Sequence, residues 1–244
     1  MKAVVLIPAR IGSTRFPAKM LAKIKGEALI CRTWRAAVDT GLFADVIVVT
    51  DSDEIQQEVE RTGGKVLRSK IEHDSGTDRI AEVAEGLDAD VVINIQGDEP
   101  FIKKEPLEKL LRLFDDKDVV AASLVQETKD SEVVSNPNKV KVLLGRDMNA
   151  IYFSRSPVPY KRDESIDQIY YIHIGIYAFR KQALIKFASW KPSPHEVVEK
   201  LECNRFIDYG MPIKMAVTDH VSIAVDTPDD IIAAENYIDR MNKK

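Results

Sequence analysis

Val4-Val5-Leu6-Ile7-Pro8-Ala9-Arg10-Ile11-Gly12-Ser13-Thr14-Arg15-Phe16-Pro17-Ala18-Lys19 runs from an unbroken apolar segment into a loop dense in positive charge. Val4–Ile7 has no polar residue on either face, as expected of a strand covered on both sides in a parallel sheet. Arg10, Gly12, Ser13, Arg15 and Lys19 follow it directly. Loops leaving the carboxyl ends of strands are where open α/β sheets bind ligands. Three fixed positive charges, a hydroxyl and a glycine suit a polyphosphate, with arginine offering planar paired contacts and lysine a compact point charge. A solvated basic rim is the plainer reading of the same residues. The glycines of a Walker A loop or a G-x-G-x-x-G turn are missing, so phosphate would be held mainly by side chains.

Working outward, strand and helix signals alternate through the first half. An amphipathic stretch around Ile30, Trp34, Ala37 and Val38 precedes the apolar run Val46–Val49. Ser52 can cap a helix whose acidic first turn, Asp53 and Glu54, complements the helix dipole, and Gly63-Gly64 ends it. Thr77–Leu87 is helical in period and Val91–Ile95 is another buried strand. The rhythm predicts right-handed βαβ units in a mostly parallel sheet, with Thr50-Asp51 and Gln96-Gly97-Asp98 on the edge that carries the Arg10 loop. Beyond Val119 the strand-like segments Val119–Val125, Val140–Leu144, Ala150–Phe153 and Tyr170–Phe179 lack long helices between them, which predicts a more antiparallel extension. Lys181–Trp190 and His195–Arg205 are expected helices, Ile213–Val217 a last strand and Pro228–Met241 a closing helix, with Asp163–Gln168 a mobile polar loop. The expected organisation is one α/β domain over 1–244 with a subregion at about 120–210.

Composition narrows the partners. The 244 residues are 45% apolar, ample for a core, and the formal charge of −4 argues against general nucleic-acid binding. An anionic substrate would then be held by a local cationic pocket. No apolar run approaches a membrane span, and Lys2 leads straight into a strand followed by Pro8 and Arg10, so neither membrane insertion nor a signal peptide is expected. Two cysteines, Cys31 and Cys203, make no disulfide framework and fit a reducing cytoplasm.

Asp98, in the turn after Val91–Ile95, and Asp226 are the best carboxylates for Mg²⁺, which takes hard oxygen ligands. A turn aspartate accounts for Asp98 equally well, and Glu99 is a weaker second candidate. Thr227 as N-cap, Pro228 at the first helical position and Asp230 in the first turn explain a helix start but leave Asp226 over. In His73-Asp74-Ser75-Gly76-Thr77-Asp78-Arg79, a capping turn covers Thr77 and makes no demand on Gly76 or Arg79. Arg155 closes an apolar strand and could clamp a carboxylate. His173 and Tyr177, four apart on a strand, should share a face opposite Ile174 and Ile176, although His173 alone reads as a core histidine.

The x-P-A-R-x-x-S-x-R-x-x-x-K pattern ending at Lys19 resembles the sugar nucleotidyltransferases. Asn94-Ile95-Gln96-Gly97-Asp98-Glu99-Pro100, Asn136-Pro137-Asn138-Lys139-Val140-Lys141, Tyr152-Phe153-Ser154-Arg155, His173-Ile174-Gly175-Ile176-Tyr177 and Val225-Asp226-Thr227-Pro228 continue the likeness in order across almost the whole chain. Together with the His73–Arg79 segment they resemble most the 3-deoxy-manno-octulosonate cytidylyltransferases, which join CTP to the acidic sugar Kdo. The resemblance implies a three-layer Rossmann-like nucleotide-diphospho-sugar transferase fold, an active cytidylyltransferase and a homodimer serving lipopolysaccharide assembly. It implies Arg10, Gly12, Ser13, Arg15 and Lys19 on the triphosphate, with Ser75, Gly76, Thr77, Arg79 and Gln96 toward the nucleotide. Asp98 and Asp226 would hold Mg²⁺, with Lys19, Arg10, Asp98 and Asp226 catalytic, and Arg155, His173, Tyr177 and Glu202 would receive the sugar. One departure stands out: the family pattern Leu-Glu-Gln-Leu-Arg is here Leu201-Glu202-Cys203-Asn204-Arg205. A thiol is a weak hydrogen-bond partner, so an amino-Kdo or neuraminate enzyme is the nearest rival, and a silent nucleotide-binding protein the rival from another class.

Overall fold

The structure, a computed structural model, describes residues 1–12, 16–73, 75–220 and 223–241. Two compact units divide the chain: Met1–Lys104 with Ser222–Lys244, and Glu105–Val221. The first unit contains β1 (Ala3–Ala9), the short antiparallel pair β2 (Lys23–Ile24) and β3 (Glu27–Ala28), α1 (Leu29–Asp39), β4 (Asp45–Thr50), α2 (Asp53–Arg61), β5 (Lys65–Arg68), α3 (Gly76–Ala84) and β6 (Val91–Ile95). Its sheet runs β6-β1-β4-β5, every pair parallel. All seven residues of β1 and all five of β6 are buried, which is why both are apolar but for Asn94, whose side chain is hydrogen-bonded. The register sets Ala9 opposite Thr50, so the segments after β1, β4 and β6 emerge at one edge.

Local chemistry explains the helix ends. Ser52 accepts the amide of Ile55 at 3.3 Å and starts α2. Gly63 lies at φ 86°, and a Cβ on Gly64 would stand 2.5 Å from Val59 Cγ1. The helix expected from Thr77 starts one residue earlier, at Gly76, with Ser75 as its cap. Ser75 Oγ accepts from the Asp78 amide at 3.1 Å and donates to the Asp78 carboxylate at 2.8 Å.

The second unit follows with α4 (Lys104–Arg112) at its entry, then β7 (Ala121–Thr128), α5 (Ser131–Ser135), β8 (Lys141–Leu144), β9 (Ala150–Ser154) and β10 (Tyr170–Arg180). It closes with α6 (Lys181–Ala188), α7 (Pro194–Glu199), α8 (Cys203–Asp208) and β11 (Lys214–Val217). β10 pairs antiparallel with β7 and β8, β8 pairs antiparallel with β9, and β11 is parallel to β7, so the expected antiparallel strands are present. Three expectations change. Helix α4 was not anticipated; it buries Pro106, Leu107 and Leu110, and Pro106 sits within its first turn, where a missing amide is harmless. The single helix expected over His195–Arg205 is two, because Lys200 takes a left-handed φ of 54° after a Ser193–Glu196 capping box has begun α7. The regular alternation expected of β10 is broken by a bulge: Ile174 pairs Leu124, but the next pair is Tyr177 with Ser123.

The chain then returns to the first unit with α9 (Pro228–Met241). Val225 and Ala234 there are fully buried with Ile24 and Leu29, flanked by Phe16, Phe101, Ile231 and Ile238.

Candidate active site

The edge formed by the segments after β1 and β6 and the start of α3 encloses a cavity of about 290 Å³ in the first unit. Arg10 and Gly12 line it from the β1 side, Gln96 and Asp98 from the β6 side, and Ser75, Gly76 and Arg79 from α3. Lys19 and Asp226 complete the lining. Ser13 and Arg15 lie outside the described residues.

Lys19 begins a short 3₁₀ turn entered through Ala18 at φ 52°. Its Nζ donates to Asp98 Oδ2 at 2.6 Å and to Asp226 Oδ1 at 3.1 Å. Burial alone would lower the Lys19 pKa, but Asp98 and then Asp226 outweigh it and hold the ammonium above its ordinary value. Close packing places this charge. A Cβ on Gly97 would meet Met20 Sδ at 2.8 Å and Pro8 O at 3.2 Å, so the glycine eases the close approach of the Lys19 turn to the β6 loop. Thr33 Oγ1 donates to Gly97 O at 2.8 Å from α1. The Val225 amide donates to Asp98 O at 2.9 Å and sets the two carboxylates side by side. The Asp230 carboxylate accepts from the amides of Asp226 and Thr227 at 2.9 and 2.7 Å, the reach-back of a capping box that also steadies Asp226.

The α3 side is equally determined. A Cβ on Gly76 would stand 3.0 Å from Pro8 Cγ, so a close approach to β1, not the capping turn, requires this glycine. Thr77 is buried; its Oγ1 accepts from Asn94 Nδ2 at 3.0 Å, and Asn94 Oδ1 accepts from Gln96 Nε2 at 3.3 Å. Arg79 reaches the cavity wall but is a buried strut, donating to Ser69 Oγ and to Asp51 Oδ2, the latter at 2.9 Å. Asp51 lies in the strand-end turn expected on this edge, and its partner there is Arg79.

For Mg²⁺ the donor set fits. Asp98 and Asp226 reach a single cationic nitrogen, and no cluster of three or more histidine, cysteine or carboxylate side chains competes among the described residues. Two carboxylates with the remaining positions left to phosphate and water is the arrangement this ion favours.

Arg155, His173, Tyr177 and Glu202, the residues expected to receive the sugar, belong to the second unit. Arg155 Nε and Nη1 donate to the carbonyls of Glu199 and Pro137 at 2.8 and 3.0 Å, and the Glu199 carboxylate accepts from Ser154 Oγ and the Arg155 amide. Behind it lies Lys141, fully buried, its ammonium donating to the carbonyls of Asn136 and Arg155. Desolvation lowers the Lys141 pKa. A lysine inside the apolar run Val140–Leu144 is the sequence signal for it.

The bulge in β10 draws His173 and Tyr177 together: their rings lie 5.0 Å apart, and Phe153 stands edge-on to His173 at 5.1 Å. Four residues along a regular strand would separate them by roughly 13 Å. Ile174, Ile176 and Tyr177 are all buried. Desolvation pushes His173 down to about 3 and Cys203 up to about 12. Tyr177, hydrogen-bonded to Cys203, is raised well above its ordinary value, burial being the main cause. Glu202 precedes α8 and lies close enough to bear on both Tyr177 and Cys203. Asn204, the neighbouring departure, is fully buried and bonds both backbone groups of Phe153 at 3.1 and 3.0 Å, which pins β9 to α8.

Residues 4–213 match the Cytidylyltransferase family. The chain is 48% identical over 240 residues to the 3-deoxy-manno-octulosonate cytidylyltransferase of Christiangramia forsetii, covering 97% of each. To the enzyme of the same name from Flavobacterium johnsoniae it is 49% identical over 234 residues, covering 95% of this chain and 96% of that one. The solved structure of CMP:2-keto-3-deoxy-manno-octonic acid synthetase complexed with CTP superposes with a TM-score of 0.93 at 36% identity, covering 99% of this chain and 100% of that one. A parallel sheet edged by a lysine between two aspartates, matched over almost its whole length by such enzymes, places the chain in the cytidylyltransferase family.

Proposed function

We propose that this enzyme transfers CMP from CTP to the anomeric hydroxyl of Kdo, releasing pyrophosphate. The hydroxyl oxygen forms a bond to the α-phosphorus as the bond between α-phosphorus and bridging oxygen breaks, and the hydroxyl proton passes to solvent. Chemistry of this kind rests on positioning and charge neutralisation. Lys19 carries the reading, because it is a buried ammonium held at a defined point on the cavity wall. Arg10 and Lys19 neutralise the triphosphate, each charge-assisted contact contributing about 1.5–3 kcal/mol. The walls from Ser75, Gly76 and Gln96 receive the nucleoside, and their narrow approach supports a small pyrimidine. Mg²⁺ held by Asp98 and Asp226 would supply Lewis-acid polarisation of the phosphate.

Arg155, His173, Tyr177 and Glu202 orient the sugar acid, Arg155 through its carboxylate. With a pKa near 3, His173 is too weak a base to carry the hydroxyl proton at neutral pH, which supports a binding role. The enzyme would work as a cytoplasmic homodimer feeding lipopolysaccharide assembly; this part rests on the family likeness, and sedimentation at micromolar concentration reads the dimer. Pyrophosphate release with CTP and Mg²⁺ tests the whole, comparing Kdo, its amino analogue and N-acetylneuraminate, with Asp98→Asn as control. Kdo-dependent release that the variant loses is the expected result. Release with another sugar alone would reassign the substrate and point to Cys203.

A further inference from the structure

The hydroxyl of Ser123 has one proton and three neighbours. Its Oγ lies 2.7 Å from Ile176 O, 3.3 Å from Ile174 O and 2.9 Å from His173 Nε2. Both carbonyls can only accept, and two oxygens 2.7 Å apart with no proton between them repel. The Ser123 proton therefore belongs to Ile176 O. The remaining contact is satisfied only if His173 Nε2 carries a proton and donates it to Ser123 Oγ. The bulge in β10 creates this demand, because it turns Ile174 O and Ile176 O onto one serine across β7. Ser123 is fully buried, so water cannot relieve it.

A neutral imidazole protonated at Nε2 has its lone pair at Nδ1. Nδ1 of His173 has no hydrogen-bond partner among the described residues, while Phe153 and Tyr177 hold the ring from its sides. We propose that Ser123, through the bulged strand, locks His173 as an Nε2–H tautomer, so that Nδ1 acts only as an acceptor and reads a hydroxyl of the sugar acid rather than its carboxylate. Ser123 is thus a positioning residue for substrate selection. The assignment rests on His173 belonging to the sugar site, and the experiment separates the two claims.

The test is ¹⁵N-detected imidazole spectroscopy of the full chain at pH 7, with and without Kdo, together with steady-state kinetics of Ser123→Ala. The expected wild-type spectrum shows Nε2 protonated and Nδ1 bare, with the Nδ1 resonance shifting as Kdo binds. Ser123→Ala should raise the KM for Kdo about tenfold while the KM for CTP stays unchanged, the loss of one oriented hydrogen bond. A proton on Nδ1 in the wild type overturns the tautomer assignment, whatever the substrate does. An Nε2–H tautomer with no response to Kdo overturns the reading role and removes His173 from the sugar site. An unchanged KM for Kdo in a folded Ser123→Ala enzyme overturns the role of Ser123. Should that variant fail to fold, the wild-type spectra still decide the tautomer and the reading role.

Discussion

Lys19, Asp98 and Asp226 form a charge triplet in which removing one member strands the others. Lys19→Met leaves two carboxylates facing each other without their shared cation and takes one positive charge from the triphosphate. Pyrophosphate release should fall on the order of 100-fold, at least as much as two lost charge-assisted contacts imply. Because the Lys19 pKa is raised, its contribution to stability is complete below about 10.5 and is lost only as pH rises through the higher folded value. His173 works in the opposite direction. Its folded pKa of about 3 lies below the ordinary 6.5, so it stabilises the fold above pH 6.5 and loses that contribution as pH falls toward 3. Thermal melts between pH 7 and 4 should therefore drop more steeply for the wild type than for His173→Gln. At this scale the sequence was readable where residue type implied a partner: Lys19, Asp98 and Asp226 were all named from a loop, a turn and a helix start. Arg79 and Ser123 were not, for opposite reasons. Arg79 looks like a ligand but spends its charge on Asp51 and Ser69, whereas Ser123 looks like an ordinary strand residue until the bulge turns two carbonyls onto it.

Among the elements that line the cavity, the turn at Gly97 is sensitive to a single methyl group. Gly97→Ala would force the Met20 side chain, next to Lys19, to shift, because the new carbon would lie 2.8 Å from its sulfur and 3.2 Å from Pro8 O. A loss of about 1–3 kcal/mol in stability is expected from such overpacking. The KM for CTP should rise with it, because Lys19 sits on the same turn; chemical denaturation and initial-rate kinetics measure the two effects. The parallel strands and the closing helix were legible because their apolar periods and end signals agree, Pro228 and Asp230 above all. The break between α7 and α8 was not: helical periodicity continues through it, and only the left-handed Lys200 stops the helix. The bulge was equally hidden, since period-2 alternation in Tyr170–Phe179 carries no record of how β7 opposes it.

For the whole molecule, the discontinuous first unit is the property a reader of the sequence would not foresee. Asp226 and the buried Val225 and Ala234 lie more than a hundred residues beyond Asp98, yet share its unit. Deleting residues from 222 onward should remove pyrophosphate release and lower the melting temperature of the first unit, while near-UV signals from the second unit's Trp190, stacked on Tyr209, persist. Calorimetry and circular dichroism separate these outcomes. The hydrogen bond from the Val225 amide to Asp98 O also has a meaning for how the protein is made. During synthesis the parallel strands leave the ribosome first, yet the buried Val225 and Ala234 and the second carboxylate arrive only after the intervening unit has been translated. The part that begins the chain is the last to be finished, so a nascent chain can fold its second unit while its first still waits for the residues that complete it.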